Sequence, residues 1–300
     1  LATASLGLPV NSVHAATAEA PKAMNPFFQT SPLPFQYPQF DKITDADFAP
    51  AFNRGFADQS AEITAIADNP AAPTFDNTIL AMERSGQVLN RAALVFFNQT
   101  SANTNDALDK LDVEFSPKFA AHSDSIYLND KLFARIKTLY NERANLGLDA
   151  QGVRLVERYF TDFVRAGSNL TEAQKTRIKA INAEMATLTT QFGQNVLAEV
   201  NDSAIIVTDR AELAGLTDEQ IAGLAESAKE KGMPGKYRIA LVNTTGQPMM
   251  AQLENRGLRE RLQKASVARG SRGNQWDNRA IVSKVTKLRA ERAAIMGFSS

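Results

Sequence analysis

Histidine is the side chain that most often carries protons or binds zinc near neutral pH, and the sequence contains two of them. His14 lies in the first stretch of the chain, so His122 is the candidate in the body of the protein. The spacing of Phe115, Phe119 and Ile126 places His122 on the apolar face of a helix. A zinc site needs two or three such ligands, and the sequence has no HExxH motif. We therefore interpret His122 as a core residue, with a zinc ligand as the alternative.

Nucleophilic catalysis finds no better support in the sequence. Ser123 and Asp124 follow His122 directly, but neighbouring positions on a helix do not face one another, so these three side chains form no hydrolase triad. The chain has no cysteine, which excludes a disulfide framework, a thiolate metal site and a cysteine nucleophile.

Phosphate chemistry and paired-carboxylate chemistry are equally poorly supported. Gly232 and Gly235 flank Pro234 in "KEKGMPGKY", which favours a turn that ends a helix over a phosphate-binding loop. Two carboxylate pairs stand at predicted exposed helix starts: Asp109 with Asp112, and Asp218 with Glu219. Acidic residues there complement the helix dipole. We assign no catalytic, cofactor-binding or metal-binding residue within this chain.

Helical periodicity covers most of the sequence. Phe48, Phe52 and Phe56 recur every four residues, and Thr44 with Asp47 forms a predicted capping box before them. A second helix is predicted over residues 75–99 with Asp76 as N-cap, weakened in its middle by Gly86, which suggests close backbone contact there. Further helices are predicted over residues 105–128 and 131–143.

The strongest structural pattern is a pair of amphipathic helices over residues 149–167 and 169–200. The second presents apolar residues at spacings of three and four, namely Ile178, Ile181, Met185, Leu188, Phe192 and Val196. Thr171 and Gln174 predict a capping box at its start. We predict a long antiparallel helical hairpin whose second helix is roughly 40 Å long.

Strand-forming residues cluster in two places, "SAIIVTD" and "YRIALVN", on either side of a capped helix. The predicted fold is mainly α, a multi-helix assembly with the hairpin and one small two-stranded antiparallel β element. "GSRGNQW", between the last two predicted helices, reads as an exposed turn.

The start of the chain has a different composition. Residues 1–24 combine an apolar run, small residues around Val13 and Ala15, and an Ala/Thr/Glu-rich stretch, which is typical of an export signal and its flexible leader. The alternative is a disordered alanine-rich leader. The prolines and aromatic residues of residues 25–40 then predict an extended arm buried against the body. We divide the rest into a helical region, 25–145, and a second region, 146–300.

Charge does not point to nucleic acid. The net charge is zero, and basic residues concentrate after Glu254 with Trp276 as the one aromatic residue among them. Base stacking requires several aromatic residues in such a patch, so solvated helix faces are the simpler interpretation. No stretch after the leader approaches the roughly 18 apolar residues that a membrane span needs.

Several segments, taken in order, resemble one known family. "NPFF", "LPFQYPQFDKITDADFAPAF", "FDNTILAMERSGQVLNRAALVFFNQ", "FVRAGSNLTEAQKTRIKAINAEMATLTTQF" and "DNRAIVSKVTKLRAERAAIMGF" resemble the amino-terminal part of the thimet oligopeptidase family of zinc metallopeptidases. The resemblance covers nearly everything after residue 24. "FDNTILAMERSGQVLNRA" is closer to the dipeptidyl carboxypeptidase branch than to the oligopeptidase A branch.

The resemblance implies a helical enzyme with a deep channel that admits short unstructured peptides and removes dipeptides from their carboxyl termini. In the family, two histidines and the glutamate of HExxH, with a further glutamate, hold zinc and activate water. Those positions would follow Ser300, so zinc ligands are expected outside this chain, and we predict that the chain alone is inactive. The chain would be periplasmic or secreted, with a cytoplasmic location as the alternative if the leader is not a functional signal, and it would be monomeric as part of the complete protein. Alternatives are an oligopeptidase A-like endopeptidase or a non-catalytic helical peptide-binding scaffold.

Overall fold

The computed structural model describes residues 24–242 and 246–299, and within them the chain is mainly helical, as predicted. The helices are α1 Phe48–Ala67, α2, which begins as a π-helical turn Phe75–Leu80 and continues over Ala81–Glu83, α3 Gln87–Ala102, α4 Asp106–Tyr127, α5 Asp130–Glu142, α6 Ala150–Ala166, α7 Glu172–Asp202, α8 Asp218–Glu230, α9 Gly246–Gln252, α10 Arg256–Ala268 and α11 Arg279–Ile295. None of these described helices is long and apolar enough to cross a membrane. The predicted leader lies outside the described residues apart from Met24.

The predicted strand pair is present. Strand β1, Ile205–Val207, pairs antiparallel with β2, Tyr237–Ile239, so that Ile206 lies opposite Arg238. Helix α8 connects them and packs on β2. Val207 and Ile239 are fully buried beneath α8, α9 and α10, so the two short strands form the base of a small apolar core.

Two further apolar cores organise the first half of the chain. The phenylalanine stripe of α1 enters the first one, where Phe52 packs edge-on against Phe96 of α3 with ring centroids 5.2 Å apart. The second core joins the end of α1 to α2, α5 and α6 through residues such as Ile136 and Phe163. The α1 stripe was therefore predicted correctly, and Thr44 and Asp47 form the predicted capping box.

The helix predicted over residues 75–99 is interrupted. Gly86 adopts a left-handed conformation with φ of 70°, which ends α2 and starts α3 in a new direction. The N-cap is Thr74, paired with Asn77, instead of the predicted Asp76. The expected close contact at Gly86 is confirmed: its N–H donates to Glu62 Oε2 at 2.7 Å, and a Cβ there would meet Gln59.

Helices α6 and α7 follow one another through a short turn, and the Thr171–Gln174 capping box is present. Their packing partners differ from those of a self-contained hairpin. Helix α7 packs mainly along α4 and α11, whereas α6 packs on α5. The hairpin prediction made α6 the main partner of the apolar stripe on α7, and the structure corrects this assignment, since α4 and α11 supply most of the surface against which α7 packs.

The proline-rich arm, residues 25–40, is only partly buried, contrary to prediction. Phe27 is buried against Phe48, and Phe28 lies half-buried under the guanidinium of Arg54. Phe35 is fully exposed, and Tyr37 is 61% exposed. The arm is thus anchored at its first residues, and residues 32–37 are exposed. It is also not extended throughout, as it was predicted to be, because Pro26–Phe28 and Pro34–Gln36 form short 3-10 turns.

Candidate functional site

A cleft of about 730 Å³ opens between α7, the end of α10 and the start of α11. Two stretches far apart in sequence, residues 192–200 and 266–283, supply its walls. It is lined by Phe192, Val196, Glu199, Val200, Ser266, Arg269, Gly270, Asn278, Arg279, Val282 and Ser283. A concave surface of this size with apolar walls and a few polar groups is the kind of place where proteins hold ligands or other polypeptide segments.

The apolar wall of the cleft is the second half of the α7 stripe. Ile178 and Ile181 are fully buried, as the stripe predicted, but Phe192 is 40% exposed and Val196 is 43% exposed. Val282 of α11 is 52% exposed across the cleft. Phe192 and Val196 were expected to be buried, but both are partly exposed where they line the cleft.

The deepest charged group of the cleft is Glu199, which is 1% exposed. Arg272 donates two hydrogen bonds to its carboxylate, from Nε to Oε1 at 2.6 Å and from Nη2 to Oε2 at 3.0 Å. Asn274 Nδ2 donates to Oε2 at 3.1 Å. Bonding to Arg272 lowers the pKa of Glu199, so the carboxylate stays ionised and saturated with donors. Such a group anchors structure and is unsuited to act as a general base.

A buried pair of amide side chains, Asn195 and Asn278, lies next to Glu199 in the same hydrogen-bond network. Asn195 Nδ2 donates to Asn278 Oδ1 at 2.9 Å, and Asn278 Nδ2 donates to the carbonyl of Phe192. The Asn278 N–H donates to the carbonyl of Gly270 at 2.8 Å. The turn predicted over residues 270–276 lies within residues 269–278, which are for the most part solvent-accessible but are fixed to α7 through Arg272, Asn274 and Asn278. We call this segment the 269–278 loop.

Two arginines lie at the rim of the cleft. Arg269 donates to the carbonyls of Leu241 and Ser266, so its charge is solvated by backbone oxygens. Arg279 is paired with Asp277 at 2.6 Å, and this bonding holds the pKa of Asp277 far below its usual range. The cleft therefore combines an apolar wall with fixed polar rims, an arrangement that can bind and orient but that positions no proton carrier among the described residues.

The residues singled out from the sequence lie elsewhere. His122 is half-buried on α4, with Nε2 2.7 Å from Gln59 Oε1 and its ring packed on Phe56. Burial lowers the pKa of His122, which favours the neutral ring of a packed residue. Asp124 is buried and accepts from Asn182 at 2.7 Å, while Ser123 is exposed. The interpretation of His122 as a core residue agrees with these contacts.

The glycines and carboxylate pairs also have structural partners. Gly232 and Gly235 both have positive φ in the turn before β2. Asp112 accepts from Ser116 within α4, and Asp218 at the start of α8 pairs with Arg210. Within residues 24–242 and 246–299, no three histidine, cysteine or acidic side chains come together in a way that could hold a metal ion.

Sequence reasoning did not identify Asn195, Glu199 or the partners of the 269–278 loop. One pattern could have found part of this network. Asn195 and Glu199 are polar residues four apart on a stripe otherwise made of Phe192, Val196 and Val200. Polar side chains on the inner face of a helix require buried partners, and a loop rich in Arg, Asn and Asp is a suitable source.

The sequence is similar to known peptidases. No family model matches the chain. It is 45% identical over 275 residues to dipeptidyl carboxypeptidase of Escherichia coli (strain K12), an alignment that covers 92% of this chain and 40% of that protein. The Salmonella typhimurium dipeptidyl carboxypeptidase is 45% identical over 91% of this chain and 40% of its own length. Oligopeptidase A of Haemophilus influenzae is 27% identical over 88% of this chain and 39% of its own length.

The chain is mainly helical, contains a cleft and is similar in sequence to two kinds of peptidase, dipeptidyl carboxypeptidase and oligopeptidase A. These similarities relate the chain to the thimet oligopeptidase family, and its 45% identity to the dipeptidyl carboxypeptidases exceeds its 27% identity to the Haemophilus oligopeptidase A. It spans about 40% of the length of the curated relatives that it matches.

Proposed function

We propose that this chain is part of a zinc peptidase that releases dipeptides from the carboxyl termini of short, unstructured peptides. The observation that carries the proposal is the 45% identity to dipeptidyl carboxypeptidases over more than nine-tenths of the chain. Identity to oligopeptidase A is 27%, which favours dipeptide release over internal cleavage.

The described residues would supply the framework of the enzyme. Helices α7 and α11 pack together, and the cleft between them exposes apolar and cationic side chains. A peptide or a further part of the protein could contact these side chains. Glu199, Arg272 and Asn278 hold the cleft in one shape. The contribution of this chain is then to bind and orient short peptides and to exclude folded ones. Cleavage of the peptide bond is proposed to depend on residues outside this chain.

Zinc would supply the chemistry of hydrolysis in the complete protein. The described residues do not fit a zinc site, because the half-buried His122 has Gln59 as its polar partner and the buried Glu199 is saturated by Arg272 and Asn274. The ligands are therefore proposed to lie in the part of the protein outside this chain.

The test is an assay of the complete gene product with a five-residue peptide whose amino terminus is blocked. We expect mass spectrometry to show successive loss of carboxyl-terminal dipeptides, and a chelator to abolish it. The same peptide with a carboxyl-terminal amide is the control and is expected to be a poor substrate, since release of dipeptides requires a free carboxylate. Internal cleavage of both peptides would instead support an oligopeptidase A-like enzyme. Zinc-free preparations that cleave as fast would refute the zinc assignment.

We also propose that the protein is periplasmic and acts as a monomer on peptides, without nucleic-acid or membrane partners. The proposal is supported by the composition of residues 1–24 and by the neutral net charge. Fractionation of cells that express the chain with and without residues 1–24 tests it. Retention of both forms in the cytoplasm would contradict export.

A further inference from the structure

The most unusual surface in the described part of the chain is the loop of residues 31–40, "SPLPFQYPQF". Its ten residues carry no charge. Four large apolar side chains on it are exposed: Leu33 to 41%, Phe35 to 103%, Tyr37 to 61% and Phe40 to 42%. Scattered single apolar residues are normal on a surface, but a contiguous group on an uncharged segment marks an interaction site.

The loop holds these side chains in a strained and defined shape. Phe35 and Gln36 both have positive φ, 55° and 59°, although neither is glycine. Such conformations cost about 1–3 kcal/mol each and persist where the surroundings impose them. Ser31 Oγ donates to the carbonyl of Tyr37 at 2.6 Å, and the Gln36 N–H donates to that of Leu33 at 2.9 Å. The Phe35 ring is thus presented outward by a closed loop and is not merely left uncovered.

We propose that the 31–40 loop docks into a pocket on the part of the complete protein that lies outside this chain, with Phe35 as the inserted side chain. The proposal rests on the proposed function in one respect, which is that the protein has the length of its relatives. Those relatives are about two and a half times as long as the matched segment, which covers 40% of them.

The chemistry of the loop favours a folded surface as its occupant. Peptide ligands occupy concave sites, whereas a ring that is fully exposed on a closed loop needs a cavity in its partner. Depletion of charge and enrichment in aromatic residues are features of the centre of a permanent interface.

A second copy of this chain is a poorer candidate. Aromatic side chains bury about 150–250 Å² each, so this partly covered set offers on the order of 500 Å². A stable interface between separate chains buries roughly 800 Å² on each partner. A covalently linked partner needs a smaller buried area, because linkage turns a bimolecular association into an intramolecular one.

Hydrogen exchange tests the proposal without a substitution. We expect peptides that cover residues 31–40 to exchange at least tenfold more slowly in the complete gene product than in the 300-residue chain. Equal exchange rates in the two proteins would overturn the proposal, and so would concentration-dependent self-association of the 300-residue chain through this loop.

The substitution Phe35→Ala gives an independent test, because it removes the ring and keeps a side chain of the same backbone preference. We expect no change in the unfolding midpoint of the 300-residue chain, where the ring has no contacts, and a fall of several degrees in the complete protein. Val113→Ala, at an exposed position on α4, is the matched control and is expected to have no effect in either. A change in the KM for peptide with an unchanged unfolding midpoint would show that the loop contacts substrate and would overturn docking.

Dipeptide release by the unsubstituted complete protein is measured separately, so failure of the proposed function is distinguished from failure of docking.

Discussion

Glu199 illustrates how one buried carboxylate can organise a surface that does no chemistry of its own. Its two oxygens accept from Arg272 and Asn274, which belong to a loop more than seventy residues away in sequence. Burying a charge is costly unless it is paired and hydrogen-bonded, and here the side-chain donors to the carboxylate, Arg272 and Asn274, come from the 269–278 loop. The consequence is that the shape of the cleft rim depends on this side chain.

We expect Glu199→Gln to lower the free energy of unfolding by about 1–3 kcal/mol, because Arg272 loses a charged, bidentate acceptor inside the protein. Urea titration followed by tryptophan fluorescence measures this directly, since Trp276 is the single tryptophan and lies in the 269–278 loop. Glu260→Gln is the control, because Glu260 pairs with Lys264 on the exposed side of α10 and should leave stability unchanged. Equal stability of Glu199→Gln and the unsubstituted chain would show that the network is not holding the loop.

The same carboxylate predicts a pH dependence. Hydrogen bonds from Arg272 lower the pKa of folded Glu199 below the ordinary value of 4.5. A carboxylate whose folded pKa is lowered contributes stability that is complete above its unfolded pKa and is lost as pH falls through the folded pKa. The stability difference between the unsubstituted chain and Glu199→Gln should therefore be constant from pH 7 to about pH 5 and shrink below pH 4.5. Urea titrations at pH 7, 5 and 3.5 measure it, and a difference that grows with acid would contradict the assignment.

At the scale of elements, Gly86 decides where one helix ends and the next begins. Its φ of 70° belongs to the left-handed region, which an L-residue with a side chain enters at a cost of about 1–2 kcal/mol. In a continuous helix the same glycine would be the weak point, and alanine would improve it by about 1 kcal/mol. The two interpretations predict opposite signs for one substitution.

We expect Gly86→Ala to destabilise the chain by about 1–2 kcal/mol, since the new Cβ would also lie 2.4 Å from Gln59 Nε2. Gly193→Ala is the matched control: Gly193 is inside α7, has no heavy atom near its would-be Cβ, and should gain up to about 1 kcal/mol. Thermal and urea unfolding of both variants give the signs. Stabilisation by Gly86→Ala would mean that α2 and α3 form one helix in solution.

Local features of the elements could be read from sequence because their causes are local. The capping boxes at Thr44 and Thr171, the α1 phenylalanine stripe and the β1–β2 pair depend on a few neighbouring residues. The packing of α7 on α4 and α11 was not predictable in this way, since a periodic stripe fixes a buried face without naming its partner. The cleft was missed for the same reason, because its walls come from two separated segments, residues 192–200 and 266–283.

Single positions with unusual backbone conformations were also beyond sequence reasoning. The aromatic residues of the arm were expected to be buried, and Phe27 is, but Phe35 is held outward by a strained loop. Hydrophobicity predicts that a side chain should leave water and does not say which segment of a longer protein covers it. Where burial departs from prediction, as at Phe35, Phe192 and Val196, the positions are exposed apolar ones.

On the scale of the whole molecule, the exposed apolar positions are considered together with the length of the relatives. A chain that spans about 40% of its relatives and exposes apolar residues along half of α7 has surfaces suited to contact with further polypeptide. The α7 surface is distinct from the 31–40 loop, because it lines the cleft beside α11. The exposed α7 surface predicts a property that can be measured on the 300-residue chain alone.

We expect the 300-residue chain to bind the dye ANS in its folded state, with the cleft as the main site. The double substitution Phe192→Gln and Val196→Gln should remove most of the fluorescence gain, because it replaces the apolar wall by amides without touching Glu199 or Asn278. Leu94→Gln is the control, since Leu94 is 66% exposed on α3 and does not line the cleft. Circular dichroism of each variant must match the unsubstituted chain for the comparison to hold. Dye binding that survives the double substitution would place the exposed apolar surface elsewhere and separate the cleft from any role in contacting further polypeptide.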